Sequence, residues 1–98
     1  MARKEKFVNV NVNDLIYKVK QTTQNNSELG SDCRGKIWYE KLKIFLDKDC
    51  NVQIRMKTFY HELAHALMFF AGIKQDEMIA QGFANLIYDY VHTRKYQN

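Results

Sequence analysis

The sequence predicts one α+β domain, a small, mostly antiparallel sheet followed by two packed helices. Three observations carry this expectation. Residues 7–13 (FVNVNVN) alternate apolar and polar, which is the period of a strand with one buried face. From about Asn51 the apolar positions switch to helical spacing, at Val52, Met56, Phe59/Tyr60, Leu63, Leu67 and Phe70. Gly72, a short loop to Gln75 and a second helical pattern follow. Strands first and helices after is the order of an α+β fold with the helices on one face of the sheet.

Each element has its own signal. The valines of the first strand are β-branched and suit a pleated surface. Asn13-Asp14 is a tight-turn pair, and Leu15–Lys20 continues as a second strand, so the first twenty residues read as a hairpin. Gln21–Gly30 is polar and reads as a loop or a short polar turn of helix. Gly30 and Gly35 bracket a turn around Cys33. Ile37-Trp38-Tyr39 and Leu42–Leu46 read as another strand pair or one long bent strand, ended by Asp47-Lys48-Asp49. The first helix spans about Asn51–Gly72, with Asp49 or Asn51 as its cap and Gly72 closing it. Its expected buried stripe is Met56, Tyr60, Leu63, Leu67 and Phe70, with Thr58, His61, His65 and Met68 on the adjacent stripe. The second helix spans about Gln75–Thr93, with Ile79, Phe83, Leu86 and Tyr90 as its expected buried stripe. Asp76 and Glu77 lie in its first turn and His92, Arg94 and Lys95 in its last, both favourable to the helix dipole.

At 98 residues the chain supports one domain and one core. Hydrophobic residues make up 46 % of it, with six Phe, six Tyr and one Trp, which argues against disorder. The net charge of +4 is spread out. Arg3, Lys4, Lys6, Arg94 and Lys95 read as solvated ends, so a nucleic-acid role is not expected. Cys33 and Cys50 are isolated, outside any C-x-x-C pattern, and read as reduced thiols of a cytoplasmic protein. No charged segment leads into an apolar signal region. The longest apolar stretch is broken by His61, Glu62 and His65, so no membrane span is expected.

The chemistry concentrates in His61-Glu62-Leu63-Ala64-His65. A helix turns once every ~3.6 residues, so His61 and His65 project from one face and converge on one metal ion. Glu62 lies beside them as the base that takes a proton from a zinc-bound water. This is the H-E-x-x-H zinc-peptidase pattern. Two histidines leave zinc short of a ligand. The loop between the helices is short, so the start of the second helix returns to the end of the first. Glu77, Asp76 and Gln81 are the residues that spacing offers, and Gln81 is the poorest ligand because its amide oxygen is neutral.

Two segments resemble the ImmA/IrrE-like metallopeptidase family of zincins, best known from phages and mobile elements. His61-Glu62-Leu63-Ala64-His65-Ala66-Leu67 resembles the family's first metal helix. Glu77-Met78-Ile79-Ala80-Gln81-Gly82-Phe83-Ala84 resembles its second. The resemblance implies a minimal zincin-like domain over residues 1–98, with Zn2+ held by His61, His65 and Glu77 and with Glu62 as general base. It implies peptide-bond hydrolysis of a protein or peptide substrate, a repressor or a host factor. A substrate strand would add to a sheet edge flanked by Ile44 or Phe45. Tyr39, Tyr60, Tyr88 and His92 are all candidates for the oxyanion donor. The rival expectation is a non-catalytic protein of this fold that acts by binding a protein partner. No helix-turn-helix or other appended domain is recognisable.

Overall fold

The structure is a computed structural model that describes residues 7–12 and 14–93. Asn13, Arg3, Lys4, Lys6, Arg94 and Lys95 lie outside the described residues. Four strands are followed by two helices: β1 (Phe7–Val12), β2 (Leu15–Thr22), β3 (Gly35–Trp38), β4 (Lys43–Asp47), α1 (Val52–Ala71) and α2 (Glu77–Thr93). β1 and β2 form the expected hairpin, Val12 opposite Leu15. At its turn Asp14 adopts φ 64°, which an Asx side chain tolerates, and its N–H is accepted by Asn11 Oδ1 at 3.1 Å.

The sheet order is β1-β2-β4-β3. β3 and β4 are a separate antiparallel pair, and Leu42 (φ 54°) turns the chain between them. β4 then inserts beside β2 as a parallel neighbour, Val19 opposite Ile44. The sheet is therefore mixed, with one parallel pairing among antiparallel ones. The run Ile44-Phe45-Leu46-Asp47 is buried throughout, as a central strand covered on both faces should be. Ile44 and Phe45 thus do not flank an edge, and the edge beside the helices is β3.

α1 is stopped and started by the expected residues. Asn51 Oδ1 accepts the Ile54 N–H at 2.9 Å, and Gly72 sits at φ 73°. Gly72 N–H reaches Phe69 O and Ile73 N–H reaches Met68 O, the paired bonds of a Schellman cap. α1 is covered on two sides. Ala66, Phe59, Leu63 and Phe70 pack on Tyr17, Val19, Ile44 and Leu46 of the sheet. Ala64 and Met68, with Tyr60, pack on Ala80 and Ala84 of α2. A helix buried on two faces does not show one stripe, and His65 is buried while Leu67 is exposed.

α2 is held mainly by α1 rather than by the sheet. It makes this contact through Ala80 and Ala84, so the expected stripe Ile79, Phe83, Leu86 and Tyr90 is exposed instead. Small residues let the two helices approach closely, and the larger side chains lie to one flank. Among the described residues no helix is long and apolar enough to cross a membrane.

Candidate metal centre

α1 presents His61 and His65 one turn apart, with Nε2 atoms 3.2 Å from each other. The Schellman turn brings α2 back antiparallel, and its first residue, Glu77, reaches both rings. Glu77 Oε2 lies 2.8 Å from His61 Nε2 and Oε1 lies 3.2 Å from His65 Nε2. One ligand atom from each of the three residues falls within a 4.8 Å cluster, a group able to hold a metal ion. The Glu77 side chain is 79 % exposed. It closes the site from the solvent side and bridges both histidines.

The other ring nitrogens are held by two glutamines. His61 Nδ1 lies 2.9 Å from Gln81 Oε1, and His65 Nδ1 lies 2.6 Å from Gln75 Oε1. The amide orientations are set elsewhere. Gln81 Nε2 donates to Asn85 Oδ1 and Gln75 Nε2 donates to the His65 carbonyl. Each amide oxygen therefore faces a histidine, and each Nδ1–H donates to it. The Nε2 lone pairs are then left converging with a carboxylate. Electron pairs this close repel unless a cation lies among them, so the donor set fits a divalent metal.

The remaining candidates are accounted for. Asp76 is the N-cap of α2, its Oδ1 accepting the Met78 and Ile79 N–H groups at 2.9 and 3.0 Å. That role turns it away from the histidines. Gln81 is an orienting partner of His61 and makes no Nε2 contact. Cys33 and Cys50 are free thiols outside the cluster, and Cys50 Sγ–H donates to the Asp47 carbonyl.

Glu62 lies between two recesses on either side of the histidines. One, of about 550 Å³, is lined by Arg34, Gly35, Lys57, Thr58, His61 and Glu62. The other, of about 280 Å³, is lined by Ile37, Tyr39, Glu62, His65, Gln75 and Glu77. Burial raises the Glu62 pKa; His61 and His65 oppose the rise and Glu77 adds to it. Glu77 shifts the other way. Burial alone would raise it, but hydrogen bonds and charge from His61 and His65 outweigh that and lower its pKa.

Gly35 sets the distance between the β3 edge and α1. A Cβ there would run into the Thr58 methyl group and come within 3.4 Å of Glu62 Cγ and Leu46 Cδ2. Thr58 cannot swing away freely, because its hydroxyl donates to the Ile54 carbonyl at 2.8 Å. Close approach of the strand to Glu62 therefore requires glycine.

Of the four oxyanion candidates, Tyr39 lines the recess that holds Glu62, His65 and Glu77. It stacks on Phe69 at 4.5 Å. Tyr60, Tyr88 and His92 form their own aromatic run along α1 and α2. Burial, then Glu62, Tyr17 and Glu77, push the Tyr39 pKa up to about 12 from 10.0. In an alkaline titration followed by phenolate absorbance, Tyr39 should ionise near 12 and Tyr39→Phe should remove that late step. Folding holds the proton more tightly, so this residue's contribution to stability is intact below 10 and lost as pH rises through 12. Tyr17 is also raised by burial, so one late step should survive in Tyr39→Phe. A wild-type titration with every tyrosine ionising at the ordinary pH would refute the placement.

Gln75 carries no site signal in the sequence, Gly35 is marked there only as a turn residue, and Tyr39 only as one of four oxyanion candidates. Gln81 does carry a site signal, because it follows Glu77 by four residues and so shares its helix face. Comparison with known protein families, with curated proteins and with solved structures finds no match to this chain.

Proposed function

We propose that the chain is a zinc-dependent metallopeptidase of the ImmA/IrrE-like zincin type, acting on a protein such as a repressor or a host factor. The observation that carries the reading is the convergence of His61, His65 and Glu77 donors within 4.8 Å, with a half-buried carboxylate, Glu62, beside them. A purely structural metal site needs no such neighbour.

His61, His65 and Glu77 would hold the ion, and Gln81 and Gln75 keep both imidazoles in the tautomer that offers Nε2. When bound, zinc supplies Lewis acidity and lowers the pKa of a coordinated water toward ~7. Glu62 accepts the proton of the attacking water and delivers it to the leaving amine nitrogen. Tyr39, protonated throughout the physiological range, donates its hydroxyl hydrogen to the carbonyl oxygen as charge develops there. The edge strand β3 offers its free backbone groups to an extended substrate, and Gly35 keeps that edge close to Glu62.

The test is proteolysis by zinc-loaded protein in a cell extract, with new N-termini labelled and sequenced. Wild type should generate a defined set of new termini and Glu62→Gln should generate none. Zinc bound to both proteins with no new termini from either would overturn the peptidase reading in favour of a partner-binding protein.

A further inference from the structure

α2 carries an apolar stripe that α1 does not cover. Ile79, Phe83, Leu86 and Tyr90 are 46, 42, 66 and 63 % exposed. Met78 beside them is 85 % exposed. The stripe lies about half a turn of the helix away from Glu77 and Gln81, so it faces away from the metal centre. It contains no charge of either sign. That composition fits the core of a protein interface, where charged residues are depleted.

Its spacing is symmetric. The intervals are four, three and four residues, so reversing the helix direction reproduces the same pattern. An antiparallel two-fold pairing of α2 sets Ile79 against Tyr90 and Phe83 against Leu86 on both sides of the axis. Such a surface is complementary to itself, the requirement of an isologous contact. The area is sufficient. Large side chains present roughly 150–250 Å² each, so the exposed parts of this patch amount to about 600 Å² per chain. Two copies would bury about 1,200 Å², at the lower bound of roughly 1,200–2,000 Å² for specific interfaces.

A second feature points the same way. Gly82 lies in mid-helix between Ile79 and Leu86, is exposed, and has open space where a Cβ would stand. Among the described residues nothing requires glycine there, and glycine weakens a helix. A second backbone approaching this face would require it.

We propose that the chain forms a two-fold dimer through the α2 face made by Met78, Ile79, Gly82, Phe83, Leu86 and Tyr90, the occupant of the stripe being a second copy. The metal centre stays open on the opposite flank, so dimerisation and metal loading are independent.

The test is sedimentation equilibrium of the full chain from about 1 to 200 µM, the range over which an interface of this size is populated. The mass should move from 11.7 kDa toward twice that value with concentration. Phe83→Glu and Leu86→Glu should weaken dimerisation at least tenfold with unchanged metal content. Gly82→Glu should also weaken it at least tenfold while its melting temperature in dilute solution stays level or rises, which excludes misfolding as the cause. Ile16→Glu, at an exposed apolar position on the hairpin, should leave the dimer intact. A monomer at all concentrations would overturn the proposal. So would a dimer that survives Gly82→Glu and Leu86→Glu, or one that Ile16→Glu breaks.

Discussion

Replacing His61 or His65 by alanine should leave the protein without bound metal, whereas Glu62→Gln should retain about one ion per chain, in line with the three-ligand catalytic sites of zinc enzymes. The two histidines supply the Nε2 atoms that lie 3.2 Å apart. Glu62 is their neighbour in sequence but points elsewhere around the helix, into the recesses beside β3. Its loss should therefore spare the ion and remove proton transfer, lowering peptide hydrolysis by about 10²–10⁴-fold. Elemental analysis of the three purified variants decides the first half. Metal lost from Glu62→Gln and retained in His61→Ala would reverse the assignment of ligand and base.

The second large effect is expected at Glu77. Its carboxylate links α2 to both histidines of α1, beside the Gln81 bond to His61, the small contacts of Ala80 and Ala84 and the Tyr60–Tyr88 ring contact. A metal at this site clips the helices together, so binding energy becomes folding energy. With free metal at a hundred times its dissociation constant, the stabilisation is about 2.7 kcal/mol. In a domain this small each kcal/mol moves the melting temperature by about 4–8 °C. A chelator should therefore lower the wild-type melting temperature by about 10–20 °C and leave Glu77→Ala nearly unchanged. Gln75→Ala and Gln81→Ala should fall between, with metal affinity reduced about 10–100-fold through loss of ring orientation. Asp76→Ala should cost about 0.5–2 kcal/mol of stability through its cap and keep its metal. Equal chelator shifts in wild type and Glu77→Ala, or metal lost from Asp76→Ala alone, would remove Glu77 from the ligand set.

Whatever depends on near neighbours along the chain is legible in the residues alone. The alternation in β1, the cap at Asn51, the stop at Gly72 and the one-turn spacing of His61 and His65 are all local, since helix and strand periods act over a few residues. The short loop also placed the start of α2 near the histidines, although spacing left Asp76 and Gln81 beside Glu77 as alternatives. Only the cap bonds of Asp76 and the amide bonds of Gln81 separated them.

The tertiary structure decided what depends on which surfaces meet. β4 enters between β2 and β3 because a parallel pairing joins segments far apart in sequence, and no local pattern marks that partner. The same insertion moved the open edge from Ile44 and Phe45 to β3, and so placed Gly35 and Tyr39 beside Glu62. Amphipathic spacing in α2 showed that an apolar face exists, but not what covers it. Burial needs an opposing surface, and α1 turns one toward Ala80, Ala84 and Tyr88. Ile79, Phe83 and Leu86 stay exposed among the described residues.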